Sequence, residues 1–278
     1  MIRDYIRENL SYGAIFRKLK TIPKKYTPQR IDYGEDKDQY FLYYEPEEIK
    51  SDKIIFWVHG GGWNAGDPDY FDYVGQCFAS HGYRCISAGY RLSPKNKYPC
   101  QIEDVCTCFN KAVEYCGSLG ADTSKIVVAG PSAGAHLSSI LCYSAEDQKR
   151  YHVDISGIIG YIGSGGPYSF RKDRGLTVKL LEAMLFAKGY DRKDAEPVSL
   201  MSRNHIPMLL IQSRHDGLIE FACAEDFAAR AEELGNRCEI YPVEDKKDTH
   251  SWYTAGMFME TRQENKGLDR FFRFIEEL

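Results

Sequence analysis

Lys125-Ile126-Val127-Val128-Ala129-Gly130-Pro131-Ser132-Ala133-Gly134-Ala135-His136-Leu137-Ser138-Ser139-Ile140-Leu141 is the stretch whose reading decides the fold. It opens as a short apolar, β-branched run, the pattern of a buried strand, and closes on a helical pattern. Between the two stands Gly130-Pro131-Ser132-Ala133-Gly134, a match to G-x-S-x-G. As a bare pentapeptide this is weak evidence, because glycine, alanine and serine are common. Between a strand and a helix it reads as a sharp elbow. Small residues are needed where the two elements nearly touch, and the serine at the bend is held in a strained backbone conformation. The start of a helix beneath its hydroxyl favours developing negative charge.

Outward from this elbow the same alternation repeats. Short apolar runs at 54–58, 84–88, 126–129, 155–161, 208–212 and 239–241 are separated by helical patterns at 73–81, 102–116, 133–143, 222–234 and 267–278. Strands alternating with helices imply an α/β fold, with a mostly parallel sheet covered on both faces. Upstream, residues 31–33 and 40–44 flank Glu35-Asp36-Lys37-Asp38 and read as an antiparallel hairpin. Ile2, Tyr5, Ile6, Ile15, Phe16 and Leu19 recur at helical spacing among charges, so residues 1–22 are expected to include an amphipathic helix lying on the body. No repeat or linker divides the chain, and 1–278 is expected to be a single domain. The interval 163–202 is long for a simple crossover. It reads either as a lid or pocket-wall insertion around Leu176, Leu180, Leu181, Met184 and Leu185, or as an ordinary crossover helix with long loops.

His59-Gly60-Gly61-Gly62-Trp63 directly follows the run at 54–58. The bland reading is a flexible turn. Three consecutive glycines also let backbone N–H groups approach a ligand, and together with the amide of Ala133 they would form an oxyanion hole. Phosphate binding is disfavoured, since neither G-x-G-x-x-G nor a Walker lysine pattern is present.

A serine nucleophile needs a base, and the base needs an orienting acid, which on a strand–elbow–helix scaffold follow in the order acid, then histidine. His136 lies one turn along the helix from Ser132 and reads as a packed residue. His205 and His215 satisfy the order but leave the acid unplaced, whereas His250, in Asp248-Thr249-His250-Ser251-Trp252, follows the last strand. Asp216, in Ser213-Arg214-His215-Asp216-Gly217, ends the run at 208–212. Its competitors are Glu220, at a helix start, and the loop residues Asp245 and Asp248. The reading is a triad of Ser132, Asp216 and His250.

Bulk properties narrow the function classes. The 278 residues are 43% apolar and 27% charged, with a formal charge of -4 and no Lys/Arg block, so nothing favours a nucleic-acid partner. The apolar runs are far too short for a membrane span. Arg3, Asp4, Arg7 and Glu8 interrupt any signal-peptide pattern, and the nine cysteines are scattered, which together give a cytoplasmic expectation with reduced thiols. No metal-ligand spacing appears, and no cofactor is expected.

These residues resemble the α/β-hydrolase superfamily from about Lys53 onward. His59-Gly60-Gly61-Gly62-Trp63 paired with Gly130-Pro131-Ser132-Ala133-Gly134-Ala135-His136-Leu137 is similar to bacterial carboxylesterases related to hormone-sensitive lipase, and to their acetyl/feruloyl esterase-like group. Tyr90-Arg91-Leu92-Ser93-Pro94, with Tyr98-Pro99 and Glu103-Asp104-Val105, resembles the same group. The resemblance implies oxyanion donors at Gly61, Gly62 and Ala133, a structural role for Asp104, and acyl transfer through an acyl-enzyme. The implied substrate is a small to medium ester, with acetylated or aromatic acylated carbohydrates as candidates. Trp63, Tyr168, Phe170 and Trp252 are expected to line an aromatic pocket. An arylformamidase-like amide hydrolase and a catalytically silent binding fold are the competing readings. The amphipathic N-terminal helix is expected either to serve a homodimer interface or to shape the active-site mouth.

Overall fold

A computed structural model describes residues 2–19, 21–173, 175–260 and 264–278, with the side chains of residues 2–5, 9, 12 and 16 outside that description. Eight strands form one sheet: β1 (Gln29–Asp32), β2 (Tyr40–Tyr44), β3 (Ile54–Val58), β4 (Arg84–Ala88), β5 (Ile126–Pro131), β6 (Ile158–Ser164), β7 (Met208–Ser213) and β8 (Cys238–Val243). Their spatial order is β1-β2-β4-β3-β5-β6-β7-β8. β1 and β2 pair antiparallel, with Ile31 opposite Phe41, and β2 joins β4 antiparallel; from β4 to β8 the sheet is parallel. The hairpin and the parallel body therefore follow the sequence expectation.

The helices are α1 (Ile2–Leu19), α2 (Asp72–Ser80), α3 (Cys100–Ser118), α4 (Ala133–Tyr143), α5 (Ala145–Arg150), α6 (Leu176–Leu185), α7 (Pro197–Leu200), α8 (Phe221–Leu234), α9 (His250–Thr254) and α10 (Lys266–Glu277). They cover both faces because the central strands are apolar on both sides, as a parallel sheet requires. In β3, Ile54, Phe56 and Val58 enter one core with Ile102, Phe109 and Leu137, while Ile55 and Trp57 enter the other with Phe78 and Phe271. Burying each such side chain contributes about 1.5–3 kcal/mol.

β6 departs from its expected place at 155–161 and runs three residues later, Ile158–Ser164. The N–H of Ile158 bonds the carbonyl of Ile155 and that of Ser156 bonds Asp154 Oδ1, so 154–157 is a turn. At the far end, Gly163 and Ser164 pair with Gly130 and Pro131 of β5. Glycines that look like loop in the sequence are ladder residues here, because bulky Tyr161 and Tyr168 fill the space beside Gly163.

α1 packs on α9, with Ile15 and Glu8 buried while Ile6 and Leu10 face outward. The segment 163–202 contains the end of β6, α6, a short 3-10 turn at Arg192–Ala195, and α7. Residue 174 lies outside the described residues.

Candidate active site

Four loops leave the carboxyl ends of neighbouring parallel strands and meet at one cavity of about 540 Å³. They are the glycine loop after β3, the elbow after β5, the turn after β7 and the segment after β8. Strand carboxyl ends are where an open α/β sheet presents its crevice.

At the elbow Ser132 has φ 52 and ψ -121 and stands directly before α4. Its N–H donates to Ser164 O at 2.8 Å, which ties the bend to β6. A Cβ on Gly134 would lie 2.0 Å from Val58 O, so only glycine lets α4 cross β3 this closely. The strain at a serine with positive φ costs on the order of 1–3 kcal/mol and holds the hydroxyl at the mouth of the helix.

The glycine loop curls around its own carbonyl: Ala65 N–H donates to Gly61 O at 3.0 Å, and Gly61 has φ 115, a conformation open to glycine. Among the described residues, the N–H groups of Gly61, Gly62 and Ala133 have no main-chain acceptor, and all three residues border the cavity. His59 is fully buried, bonds Gly60 O at 2.7 Å through Nδ1 and stacks on Tyr90 at 4.2 Å. Burial lowers its pKa to about 4, so it packs as neutral imidazole. Tyr90 donates to His59 O and Ser93 N–H donates to Trp63 O, which gives the Tyr90-Arg91-Leu92-Ser93-Pro94 stretch its task of bracing this loop. Asp104 holds Arg91 through its backbone N–H (2.8 Å) and its guanidinium (2.7 Å), a structural position.

His250 Nδ1 lies 2.7 Å from Asp216 Oδ2, with both side chains almost wholly buried. Asp216 Oδ1 accepts from the N–H groups of Leu218 (2.7 Å) and Ile219 (2.8 Å); Oδ2 also accepts from the Tyr253 hydroxyl and from Gln212 Nε2. Burial pushes the His250 pKa down, but the Asp216 charge and hydrogen bond push it up further, with smaller help from Glu8 and Asp173. The net direction is upward from the ordinary value. Since Nδ1 is engaged by the carboxylate, Nε2 is the nitrogen left to exchange a proton. His250 and Ser132 line the same cavity.

The remaining histidines fall elsewhere. His136 is buried in α4, accepts from Trp63 Nε1 at 3.2 Å and reaches Ala195 O at 2.7 Å, so it pins the indole to segment 163–202. His205 contacts Ile158 O at the sheet.

The aromatic wall differs from its sequence expectation. Trp63 borders the cavity, whereas Tyr168, Phe170 and Trp252 do not. Tyr168 is buried in a stack on Phe227 and bonds the Tyr161 hydroxyl; Phe170 packs on His136 and Phe186; Trp252 lies under the Lys18 ammonium. Nothing in spacing separates a core aromatic from a pocket one. The wall is instead built by Tyr70, Phe71 and Tyr73, by Val178 and Leu181 of α6, and by Glu8 and Ile15 of α1.

Glu8, Tyr253 and Asp173 were not legible as site residues. Asp173 is buried, accepts from Gly175 N–H at 3.0 Å and has its pKa raised to about 7, chiefly by burial. At the opposite end of the sheet, ligand-type atoms of Cys77, His81 and Glu260 come within 4.8 Å of one another. Sequence spacing hides this group because Glu260 is remote from the other two.

The fold and elbow define an α/β-hydrolase. The BD-FAE family profile matches residues 42–230, most of the chain, and the chain belongs to that family. Esterase LipC of Mycobacterium tuberculosis is 29% identical over 219 residues, covering 73% of this chain and 54% of its own. Carboxylesterase NlhH of the same species is 33% identical over 141 residues, covering 48% of this chain and 44% of its own. The chain thus spans about half the length of the curated relatives it matches. Among solved structures, esterase B of Lactobacillus rhamnosis superposes with a TM-score of 0.78 at 17% identity, covering 100% of this chain and 95% of that one.

Proposed function

We propose that this chain is a serine carboxylesterase acting on small to medium carboxylic esters, with Ser132 as nucleophile. The observation that carries this is the convergence on one cavity of a strained Ser132, a buried His250–Asp216 pair and three loop and helix N–H groups that have no main-chain acceptor among the described residues. The names of the relatives, esterase and carboxylesterase, agree with it.

In this reading His250 Nε2 takes the Ser132 proton as the hydroxyl attacks the ester carbonyl. The oxygen that becomes anionic rests on the N–H groups of Gly61, Gly62 and Ala133, donors fixed by the backbone of the loop and the helix start. His250 then protonates the leaving alcohol, and Asp216 stabilises the imidazolium while fixing its tautomer. Water repeats the attack on the acyl-enzyme. A cavity of about 540 Å³ suits small and medium esters, including acetylated or aromatic acylated sugars.

Fluorophosphonate labelling of the wild type, lost in Ser132→Ala, tests the nucleophile; an unlabelled wild type overturns it and revives the silent binding fold. Parallel turnover of p-nitrophenyl acetate and N-formylkynurenine tests the bond. Formamide hydrolysis faster by orders of magnitude replaces the ester reading with the arylformamidase one.

A further inference from the structure

α1 brings an ionisable side chain to the start of α9, which carries His250. Glu8 is 1% exposed. Its Oε1 accepts from the N–H of Ser251, the residue after His250, at 2.9 Å, while Oε2 has no hydrogen-bond partner among the described residues. Glu8 also borders the cavity that contains Ser132 and His250. Leaving a buried polar oxygen unpaired costs about 1–3 kcal/mol, and more for a charged group. Anchoring α1 to the Ser251 N–H needs a single acceptor, and a glutamine would supply it. The second oxygen is explained by a ligand that arrives later.

Charge and position say which ligand. Among the described residues bordering the cavity, the carboxylic side chains are Glu8 and Asp67, and no lysine or arginine is present. A cleft of one sign with apolar walls concentrates the opposite charge. The position argument rests on the esterase reading. There His250 must reach the leaving oxygen, so the alcohol part of the ester lies on the His250 side, and Glu8 is held by the very next residue. We infer that Glu8 is a specificity-determining residue, with Oε2 pairing a primary ammonium group on the alcohol part of the substrate.

A matched series tests this: 4-(aminomethyl)phenyl, 4-methylphenyl and 4-(carboxymethyl)phenyl acetates. The expected order of kcat/KM is ammonium, then neutral, then carboxylate. Glu8→Gln keeps an acceptor for Ser251 but loses the charge, and should lower the ammonium-to-methyl ratio roughly ten- to hundredfold. A merely anchoring residue would move both esters together and leave the ratio where it was, and that result overturns the proposal. So does a collapse of the ratio in Asp67→Asn but not in Glu8→Gln.

Calorimetric titration of the wild type with benzylammonium, benzyl alcohol and benzoate needs neither turnover nor a folded variant. Tightest binding of benzylammonium supports the site; equal binding of benzylammonium and benzyl alcohol overturns it. If no ester is turned over yet benzylammonium binds more tightly than benzyl alcohol and benzoate, the esterase reading fails and the ammonium site stands.

Discussion

Asp216 accepts from five donors, two backbone N–H groups on Oδ1 and His250, Tyr253 and Gln212 on Oδ2. Such a carboxylate is fixed in place before any substrate arrives, and it in turn fixes the imidazole. Asp216→Asn should therefore lower kcat by about 10⁴-fold, the scale set by loss of the orienting acid in serine proteases. The pH profile supplies a second reading. The proposed mechanism needs neutral His250, whose pKa is shifted upward from the ordinary value, so kcat/KM should fall with acidification through a midpoint above 6.5. Removing the Asp216 charge moves this limb toward lower pH; an unmoved limb would mean that another group sets it. Glu8 and Asp173 act on His250 in the same direction, and their neutral variants should shift the limb the same way by less. At Gly61 a Cβ would fall 2.1 Å from Ala65 O. On the proposed mechanism Gly61→Ala should thus cost roughly 100- to 1,000-fold in kcat, as loss of an oxyanion donor does, with KM little changed.

At the scale of elements, the candidate site is a set of loops braced in part by residues, such as His136 and Tyr90, that do not border the cavity. Ser132 stands directly before α4, which carries His136 one turn later, and His136 links the end of the glycine loop, through Trp63, to the 3-10 turn at Arg192–Ala195. His136→Phe keeps the ring but orphans a buried indole N–H and a buried carbonyl, about 1–3 kcal/mol each. Thermal unfolding should then begin on the order of 10 °C lower. An unchanged Tm would show that the two groups find other partners. α6 covers the glycine loop closely enough that a Cβ on Gly62 would meet Leu181 at 2.9 Å. The helical pattern of this segment was legible in sequence. Its orientation was not: Leu176 and Leu180 are exposed while Val178 and Leu185 are buried, because the cavity and the glycine loop, and not the sheet alone, set which face turns inward.

For the whole molecule, the two cores on either side of the sheet enclose six of the nine cysteines, Cys223 is buried in a small cluster with Val178 and Ile219, and Cys100 and Cys238 are half-buried. All nine are free thiols, and burial raises their pKa values, to about 12 for Cys116 and Cys238. In the native protein a thiol reagent should modify Cys100 and Cys238 first and the rest at the pace of unfolding, with all nine titrating in denaturant. Fast modification of several buried thiols would mean that the cores open readily.

Strand–helix alternation, the elbow at Ser132 and the order of Asp216 and His250 were legible in the chain itself, because they rest on local rules: a period of two or 3.6, small residues at a tight turn, and the direction of a parallel sheet. β6 was misplaced because a glycine in a buried ladder and a glycine in a loop look alike until the neighbouring tyrosines are in place. The same limit governs the pocket. Tyr168, Phe170 and Trp252 carry the same chemistry as Trp63, Tyr70 and Tyr73, and only packing across distant segments decides which of them meet the cavity. Glu8 is the sharpest case. In sequence it is one charge on the polar side of an amphipathic helix, and the docking of α1 on α9 turns it into a buried carboxylate beside His250. Local physics determined which serine, aspartate and histidine this protein offers as candidate reacting groups, and long-range packing, which no spacing encodes, decided the walls around them.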